Sequence, residues 1–379
     1  MRVGVDARVL SFAPITGMGR YTAEMSLELL KLSDEFFLYL PASPIVGDWN
    51  QPNVHLRASK VRGRLGRFFW SQTTIPHQAK CDRLDVFWGP NHRLPRWMPK
   101  ATARVVTIHD LVWKYASETM RPLNRLLESS LMPGAIAMAD RIIASSTSTA
   151  QALEAEFPVA RGKVRVVLPG VTLPVPSDDK ASLTSLGIIR PYVLFVGTLE
   201  PRKNLARLLD AYAKLPQAIR TANQLVVAGG KGWGGVDISQ MLLDRNLAPY
   251  VITPGYVSDA QLSCLYAHAR FLALPALYEG FGLPLVEAMA QGVPVLTSNS
   301  SSLPEVAGDA GVLVDPLDVD AISAGILRLL TDDVYHQALA ARARPNAARF
   351  SWSKAAREVM RILNEAVQVR RDISISDRI

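Results

Sequence analysis

The feature that most narrows what this chain can fold into is an alternation. Short, nearly continuous apolar runs of strand length are separated by segments of helical period along almost all of its 379 residues. Such runs are strands covered on both faces, and strands joined through helices lie parallel. In the first half they predict strands at Val3 to Asp6, Phe36 to Leu40, Asp85 to Trp88, Val105 to Ile108, Arg141 to Ala144 and Val164 to Val167. Helices are expected between them at Gly19 to Leu32, Leu123 to Ala139 and Thr147 to Phe157. The pattern restarts with strands at Tyr192 to Val196, Leu225 to Ala228, Val251 to Thr253, Phe271 to Leu274, Val293 to Thr297 and Val312 to Val314. Helices at Val319 to Leu330, Val334 to Ala347 and Trp352 to Val369 close the chain, with Ser351 or Ser353 as cap of the last. Between the halves, Pro169-Gly170 through Pro174-Val175-Pro176-Ser177-Asp178-Asp179 has the composition of a linker. The expected fold is α/β: two Rossmann-like doubly wound sheets facing across a cleft, with ligands at the carboxyl ends of the strands.

Composition sets the outer bounds. At roughly 100 to 200 residues per domain, this length means two domains, here 1–172 and 173–350, with 351–379 as a terminal helix and tail. No apolar run reaches the roughly 18 residues of a membrane span, and no signal-peptide pattern opens the sequence, so a cytoplasmic protein is expected. Cys81 and Cys264 match no metal or redox spacing and are expected to be two buried, unpaired thiols. The formal charge of +8 admits nucleic acid, anionic lipid or a phosphorylated substrate as partner. Arg57, Lys60, Arg62, Arg64 and Arg67 run into Phe68, Phe69 and Trp70. That segment reads either as a face for an anionic membrane surface or as an exposed loop entering a helix whose aromatics are core.

Four segments carry chemistry. In the longest, Leu274 through Ala290, a strand gives way to Tyr278-Glu279-Gly280-Phe281-Gly282-Leu283-Pro284 and then to a helix bearing Glu287. Pro284 suits a first helical turn, so the glycine loop can present backbone N–H groups, and two carboxylates reach one region as acceptors for sugar or ribose hydroxyls. The alternative is that both glutamates are solvent-facing acids favoured by a helix start. In the second, Val196-Gly197-Thr198-Leu199-Glu200-Pro201-Arg202-Lys203-Asn204, two adjacent cations sit at a helix entrance, fit for a diphosphate or simply solvated. The third, Thr16-Gly17-Met18-Gly19-Arg20-Tyr21, lets backbone approach a phosphate, but Thr22 breaks the dinucleotide fingerprint, which argues against an oxidoreductase. The fourth places His109 and Asp110 at the carboxyl end of a buried strand. Pro254-Gly255-Tyr256-Val257-Ser258-Asp259 is a further turn, with Ser258 or Asp259 as helix cap. The six histidines show no metal-ligand spacing, and Asp318 to Asp320 reads as a helix start, so neither a metal nor a cofactor is expected.

Two glutamates separated by seven residues around Gly280-Phe281-Gly282-Leu283-Pro284, together with the order of the other segments, closely resemble the retaining glycosyltransferase family often called family 4. The resemblance spans almost the whole chain and implies the two-domain GT-B fold. It implies an acceptor-binding first domain, a nucleotide-sugar donor in the second, and a C-terminal helix, opening Phe350-Ser351-Trp352, that returns to the first. It places Glu279 and the Phe281, Gly282 and Leu283 backbone on the donor sugar, Glu287 on the ribose, and Arg202 and Lys203 on the pyrophosphate. It sets His109 near the reacting carbon, Tyr256 and Val257 at the base, and Gly17 and Gly19 over the phosphates. Arg20 is its acceptor-side candidate; Asp110, next to His109, either orients that histidine or sits in the acceptor pocket. One departure stands out: many relatives have arginine directly after the glycine, where this chain has Thr198. The family's usual front-face mechanism involves no carboxylate nucleophile. Asp6-Ala7-Arg8 and Leu199-Glu200-Pro201-Arg202-Lys203-Asn204 resemble bacterial enzymes that add mannose or rhamnose to surface polysaccharides, which implies a GDP-sugar donor and a glycan or polyprenyl-linked acceptor. A sugar-nucleotide epimerase of the same fold is the alternative; paired glutamates in a glycine loop argue against a nucleic-acid partner.

Overall fold

The computed structural model describes residues 1–13, 17–172, 180–230, 232–234 and 237–376. Thr16 and the expected linker from Pro174 to Asp179 lie outside them. The chain divides into two compact units: Met1–Leu111, Leu126–Gly170 and Ser351–Ile379 form the first, and Val112–Arg125 with Val171–Phe350 the second.

The first unit is built on seven parallel strands: β1 (Arg2–Asp6), β2 (Glu35–Leu40), β3 (Val54–Ala58), β4 (Val86–Gly89), β5 (Ala103–Ile108), β6 (Arg141–Ala144) and β7 (Val164–Val166). Their order is β3-β2-β1-β4-β5-β6-β7, so the winding reverses between β1 and β4. The predicted strands are present to within about two residues. The additional strand, β3, occupies the edge. Its half-exposed sequence, Val54-His55-Leu56-Arg57-Ala58, lacks the continuous apolar run that marks the others.

That strand changes the reading of the basic cluster. Arg57 lies in the ladder opposite Tyr39, pairs with Asp82 at 2.6 Å and stands 5.3 Å from the Phe37 ring centroid. The aromatics that follow lie in a helix, Arg64–Cys81, and divide between core and surface. Trp70 is buried and donates its indole N–H to Ser59 Oγ at 3.1 Å, while Phe68 and Phe69 are exposed. Cys81, expected to be buried, is exposed at the end of this helix; Cys264 is buried.

The helix Trp352–Ser376 belongs to the first unit. Trp352, Ala355, Ala356, Val359, Ile362, Leu363 and Ala366 join Val3, Val5, Met25, Val86 and Val105 in one core. Apolar residues at helical spacing require such a partner surface. Polar clamps fix the outer face: Arg370 reaches Asp140 at 2.5 Å and Arg141 reaches Glu365 at 3.2 Å.

The second unit carries six parallel strands: β8 (Tyr192–Val196), β9 (Gln224–Ala228), β10 (Val251–Gly255), β11 (Phe271–Leu274), β12 (Val295–Ser298) and β13 (Gly311–Val314). The order β10-β9-β8-β11-β12-β13 repeats the first unit's topology, with the reversal between β8 and β11. Both strands at that reversal are fully buried, in keeping with a sheet covered on both faces. Asp318 caps the helix Val319–Thr331 by accepting the N–H groups of Asp320 and Ala321, so the Asp-x-Asp is a helix start.

Candidate active site

In an open parallel sheet the crevice at the strand-order reversal exposes backbone ends of both flanking strands. In the second unit the loops leaving β8 and β11 meet there. After Val196 the chain passes Gly197 into a tight turn at Pro201–Lys203 and enters the helix Leu205–Ala213 through Asn204, which adopts a left-handed conformation with φ 60°. The Asn204 amide is buried and donates to the carbonyls of Pro275, 2.8 Å away, and Pro316, 2.7 Å away. It thereby ties this turn to the loops after β11 and β13. A second tie runs from Leu277 N to Arg202 O at 2.8 Å.

These ties bring Arg202 and Lys203 to Glu279, more than seventy positions away in sequence. Arg202 Nη1 donates to Glu279 Oε2 at 2.7 Å and to the Tyr278 carbonyl at 2.9 Å, and Nη2 donates to Glu200 Oε1 at 2.5 Å. Lys203 Nζ donates to the other oxygen, Glu279 Oε1. Glu279, Lys203 and Glu200 are all buried. Burial opposes ionisation of Glu279, but Arg202 and Lys203 outweigh it and hold the carboxyl below its ordinary range. Glu200 shifts the other way: burial, with Glu279 adding to it, outweighs the same two cations. Neither Glu279 nor Glu287 is a solvent-facing acid.

The Glu279–Gly282 loop is pinned by two serines. Ser301 Oγ accepts the Glu279 N–H at 3.2 Å, and Ser302 Oγ donates to the carbonyls of Glu279, 2.9 Å away, and Phe281, 3.0 Å away. Gly282 precedes the helix Leu283–Ala290 with φ 102°, a conformation that disfavours any side chain, and a Cβ there would stand 2.9 Å from Leu303 Cδ2. Pro284 falls in the first turn, as its missing N–H permits. The Phe281 side chain is buried edge-on against Phe350 at 5.5 Å, so this residue can offer a ligand only its backbone. Glu287, buried on the following helix, accepts the Tyr266 hydroxyl proton at Oε2 over 2.6 Å. At the end of β10, Tyr256 is exposed and Val257 buried; Ser258 caps the next helix in a full capping box with Gln261.

In the first unit, His109 follows β5 and is held on several sides. Its Nε2 meets the Pro90 carbonyl at 2.8 Å, its own carbonyl accepts the hydroxyls of Ser145 and Thr149, and the Tyr21 ring lies edge-on at 4.6 Å. Because a carbonyl can only accept, the proton sits on Nε2 and the lone pair on Nδ1. Burial, reinforced by nearby His92 and only partly opposed by Pro90, pushes its pKa down to about 3. His109 is therefore neutral throughout the physiological range.

His92 supports this arrangement. It follows β4 in a left-handed conformation with φ 61°; Nε2 accepts the His109 backbone N–H at 3.0 Å and Nδ1 faces Glu128 Oε2 at 3.3 Å. Burial depresses its pKa, but Glu128 more than offsets this and the net shift is upward. Protonation would turn Nε2 into a donor and break its bond to His109. Neither His92 nor Glu200 stands out in sequence: a lone histidine and an acid beside two cations have many structural uses, and only a positive φ or a shared partner reveals them.

Gly17 and Gly19 lie in the first turn of the helix Gly17–Leu29, which begins two residues before the Gly19 start expected from sequence. Gly17 is exposed, Gly19 buried, and Arg20 and Asp110 half-buried in the first unit.

Comparison with known proteins identifies the family and the fold. The model of "Glycosyltransferase Family 4" matches residues 15–173, and that of "Glycosyl transferases group 1" matches residues 187–349. The chain is 35% identical over 376 residues to the O-antigen chain mannosyltransferase B of Escherichia coli, covering 89% of this chain and 93% of that protein. Among solved structures, the sucrose-phosphate synthase of Thermosynechococcus elongatus superposes with a TM-score of 0.76 at 20% identity, covering 96% of this chain and 98% of that one. WaaG, a glycosyltransferase of lipopolysaccharide biosynthesis, gives 0.75 at 18%, with 95% and 99% covered. With two Rossmann-like units and a full-length relative at this identity, the chain belongs to the group 1 and family 4 glycosyltransferases of GT-B fold.

Proposed function

We propose that this protein transfers a hexosyl residue, mannose or rhamnose from a GDP-sugar, to a hydroxyl of a glycan or polyprenyl-linked acceptor, with retention at the anomeric carbon. The observation that carries the reading is the convergence of Arg202 and Lys203 on Glu279 at the strand-order reversal of the second sheet. The mannosyl assignment and a place in surface-polysaccharide synthesis draw on the E. coli relative, whose name states both mannosyl transfer and the O-antigen chain.

The donor diphosphate is placed on Arg202 and Lys203, the sugar against Glu279 and the Phe281 to Leu283 backbone, the ribose on Glu287, and the base at Tyr256 and Val257. As the bond from the anomeric carbon to the phosphate oxygen breaks, its electrons pass to that oxygen, which Arg202 and Lys203 stabilise without a metal. The acceptor oxygen bonds the anomeric carbon from the same face, and its proton passes to the departing phosphate oxygen. Both oxygens of Glu279 are engaged, by Lys203 and by Arg202, which supports a positioning role and not that of a nucleophile. His109, with its lone pair on Nδ1, is a neutral acceptor for a donor-sugar hydroxyl. Gly17 and Gly19 approach the phosphates, and Arg20 and Asp110 the acceptor.

The reaction is placed at the inner face of the cell membrane, with exposed Leu65, Phe68 and Phe69 and the adjoining Arg64 and Arg67 against anionic lipid. No helix among the described residues is long and apolar enough to cross a membrane. Flotation with phosphatidylglycerol vesicles tests this; unchanged recovery of a Leu65→Ser, Phe69→Ser variant would remove the membrane contact from the reading. For the reaction, GDP-mannose, GDP-rhamnose and UDP-glucose are offered with a polyprenyl-diphosphate glycan in the presence of EDTA, and the product anomer is read by NMR. A product with the donor's anomeric configuration from a GDP-sugar is expected. An inverted product, or turnover only on added Mg²⁺, contradicts the proposed chemistry.

A further inference from the structure

His109 stands at the carboxyl edge of the first sheet; a separate hollow of about 740 Å³ opens at the amino edge. Its floor is the chain just before β4, Leu84 and Asp85, and just before β5, Ala101 and Thr102. That floor is well tied: Thr102 Oγ1 donates to Leu84 O at 3.2 Å and Ala103 N to Asp85 O at 3.0 Å.

Four cations line the hollow: Lys80 from the end of the helix Arg64–Cys81, Arg83 just beyond it, Lys100, and Arg371 from the C-terminal helix. None of the four forms an ion pair among the described residues. The carboxylate in the lining, Asp85, has Oδ2 occupied by the Arg2 backbone N–H at 2.7 Å. Arg83 adopts φ 51°, a left-handed position after a helix where glycine or asparagine is usual. Trp97, 64% exposed, presents an aromatic surface at the rim.

Four cations against one carboxylate leave the lining net positive, and a multivalent oxyanion offsets that charge while accepting hydrogen bonds from their N–H groups. An exposed indole beside such a cluster suits the flat face of a sugar or base. The volume is that of a small-ligand site. We propose that this hollow binds a phosphate ester carried on a ring, a sugar phosphate or a nucleotide, at a second site that shares no residue with the donor site. Donor and acceptor transfer needs nothing at this edge, so the ligand is a product, precursor or effector bearing the same phosphate chemistry.

The test uses the full chain and three probes: inorganic pyrophosphate, hexose 1-phosphate and GMP, titrated by calorimetry, with hydrogen exchange locating each. Pyrophosphate is expected to protect residues 80–85 and 97–102. A Lys80→Glu, Lys100→Glu variant is expected to weaken this binding tenfold or more, while Lys354→Glu, Arg357→Glu, an equal charge change elsewhere, alters it less than twofold. Trp97→Ala is expected to weaken the ring-bearing probes and leave pyrophosphate unchanged; preference for hexose phosphate or GMP names the source. Binding must persist in Lys203→Ala, which separates this site from the donor site. Protection absent from 80–85 and 97–102, or equal loss in the control variant, overturns the proposal.

Discussion

Replacing Glu279 with glutamine keeps the size and an acceptor oxygen but removes the charge that Arg202 and Lys203 share. In the wild type these two cations face two carboxylates, Glu279 and Glu200, in a buried cluster. The variant leaves the pair with Glu200, whose own pKa is already raised by burial. Breaking a buried pair costs about 3 to 5 kcal/mol when a charge is stranded; with the amide oxygen still accepting, about 2 to 4 kcal/mol is expected. At roughly 2 to 4 °C per kcal/mol for a domain of this size, the second unit's transition falls by about 4 to 16 °C. A bound nucleoside diphosphate would restore the missing negative charge. Differential scanning calorimetry with and without GDP therefore reads two quantities: Glu279→Gln melts lower alone, and GDP raises its transition more than it raises that of the wild type. The pH dependence follows from the lowered pKa of Glu279. The folded carboxyl binds its proton less readily than the unfolded one, so its contribution is complete above the unfolded value, near 4.3, and is lost as pH falls through the lower folded value. The variant lacks this acid-limb dependence. A transition within about 1 °C of wild type, with no larger response to GDP, would refute the cluster as the element that shapes this site.

Three further outcomes are expected. His109, with a pKa near 3, contributes no inflection to the rate between pH 5 and 9; because the unfolded imidazole binds a proton that the folded one refuses, the His109 contribution to stability declines as pH falls below about 6.5, and urea melts of His109→Asn should lack that contribution. Gly282→Ala places a side chain at φ 102° and 2.9 Å from Leu303 Cδ2, which should cost about 1 to 3 kcal/mol in urea unfolding and lower kcat/KM by more than the stability loss explains. Ending the chain at Phe350 removes Trp352, Val359, Ile362 and Leu363 from the first unit's core, and gel filtration should show aggregation in place of a folded protein.

The elements written as continuous apolar runs were legible in sequence because burial on both faces leaves no polar positions. Tyr192–Val196 and Phe271–Leu274 are the clearest cases, and both flank the site. β3 escapes because an edge strand with one half-open face mixes His55 and Arg57 among its apolar residues; the helix Arg64–Cys81 is one of the two readings the sequence leaves open for that basic and aromatic segment. The family motif located Glu279, Arg202 and Lys203 individually. Their mutual pairing depends on two loops from different strands being tied by Asn204, a tertiary fact that spacing along the chain does not encode. The same limit hid Glu200 and His92, whose importance lies in what they hold. At Gly17 the difference is one of boundary: the helix expected from Gly19 begins two residues earlier.

The second unit is proposed to hold a nucleoside diphosphate through Lys203 and Glu287. Calorimetric titration with GDP, UDP, ADP and dTDP in EDTA, repeated with Mg²⁺, tests it most directly when Lys203→Ala and Glu287→Ala are run beside the wild type. Metal-independent binding with GDP preferred is expected, weakened about 30- to 1000-fold by Lys203→Ala, as loss of roughly 2 to 4 kcal/mol of charge stabilisation implies, and weakened also by Glu287→Ala. Binding of no nucleotide, or binding that both variants leave intact, would contradict it.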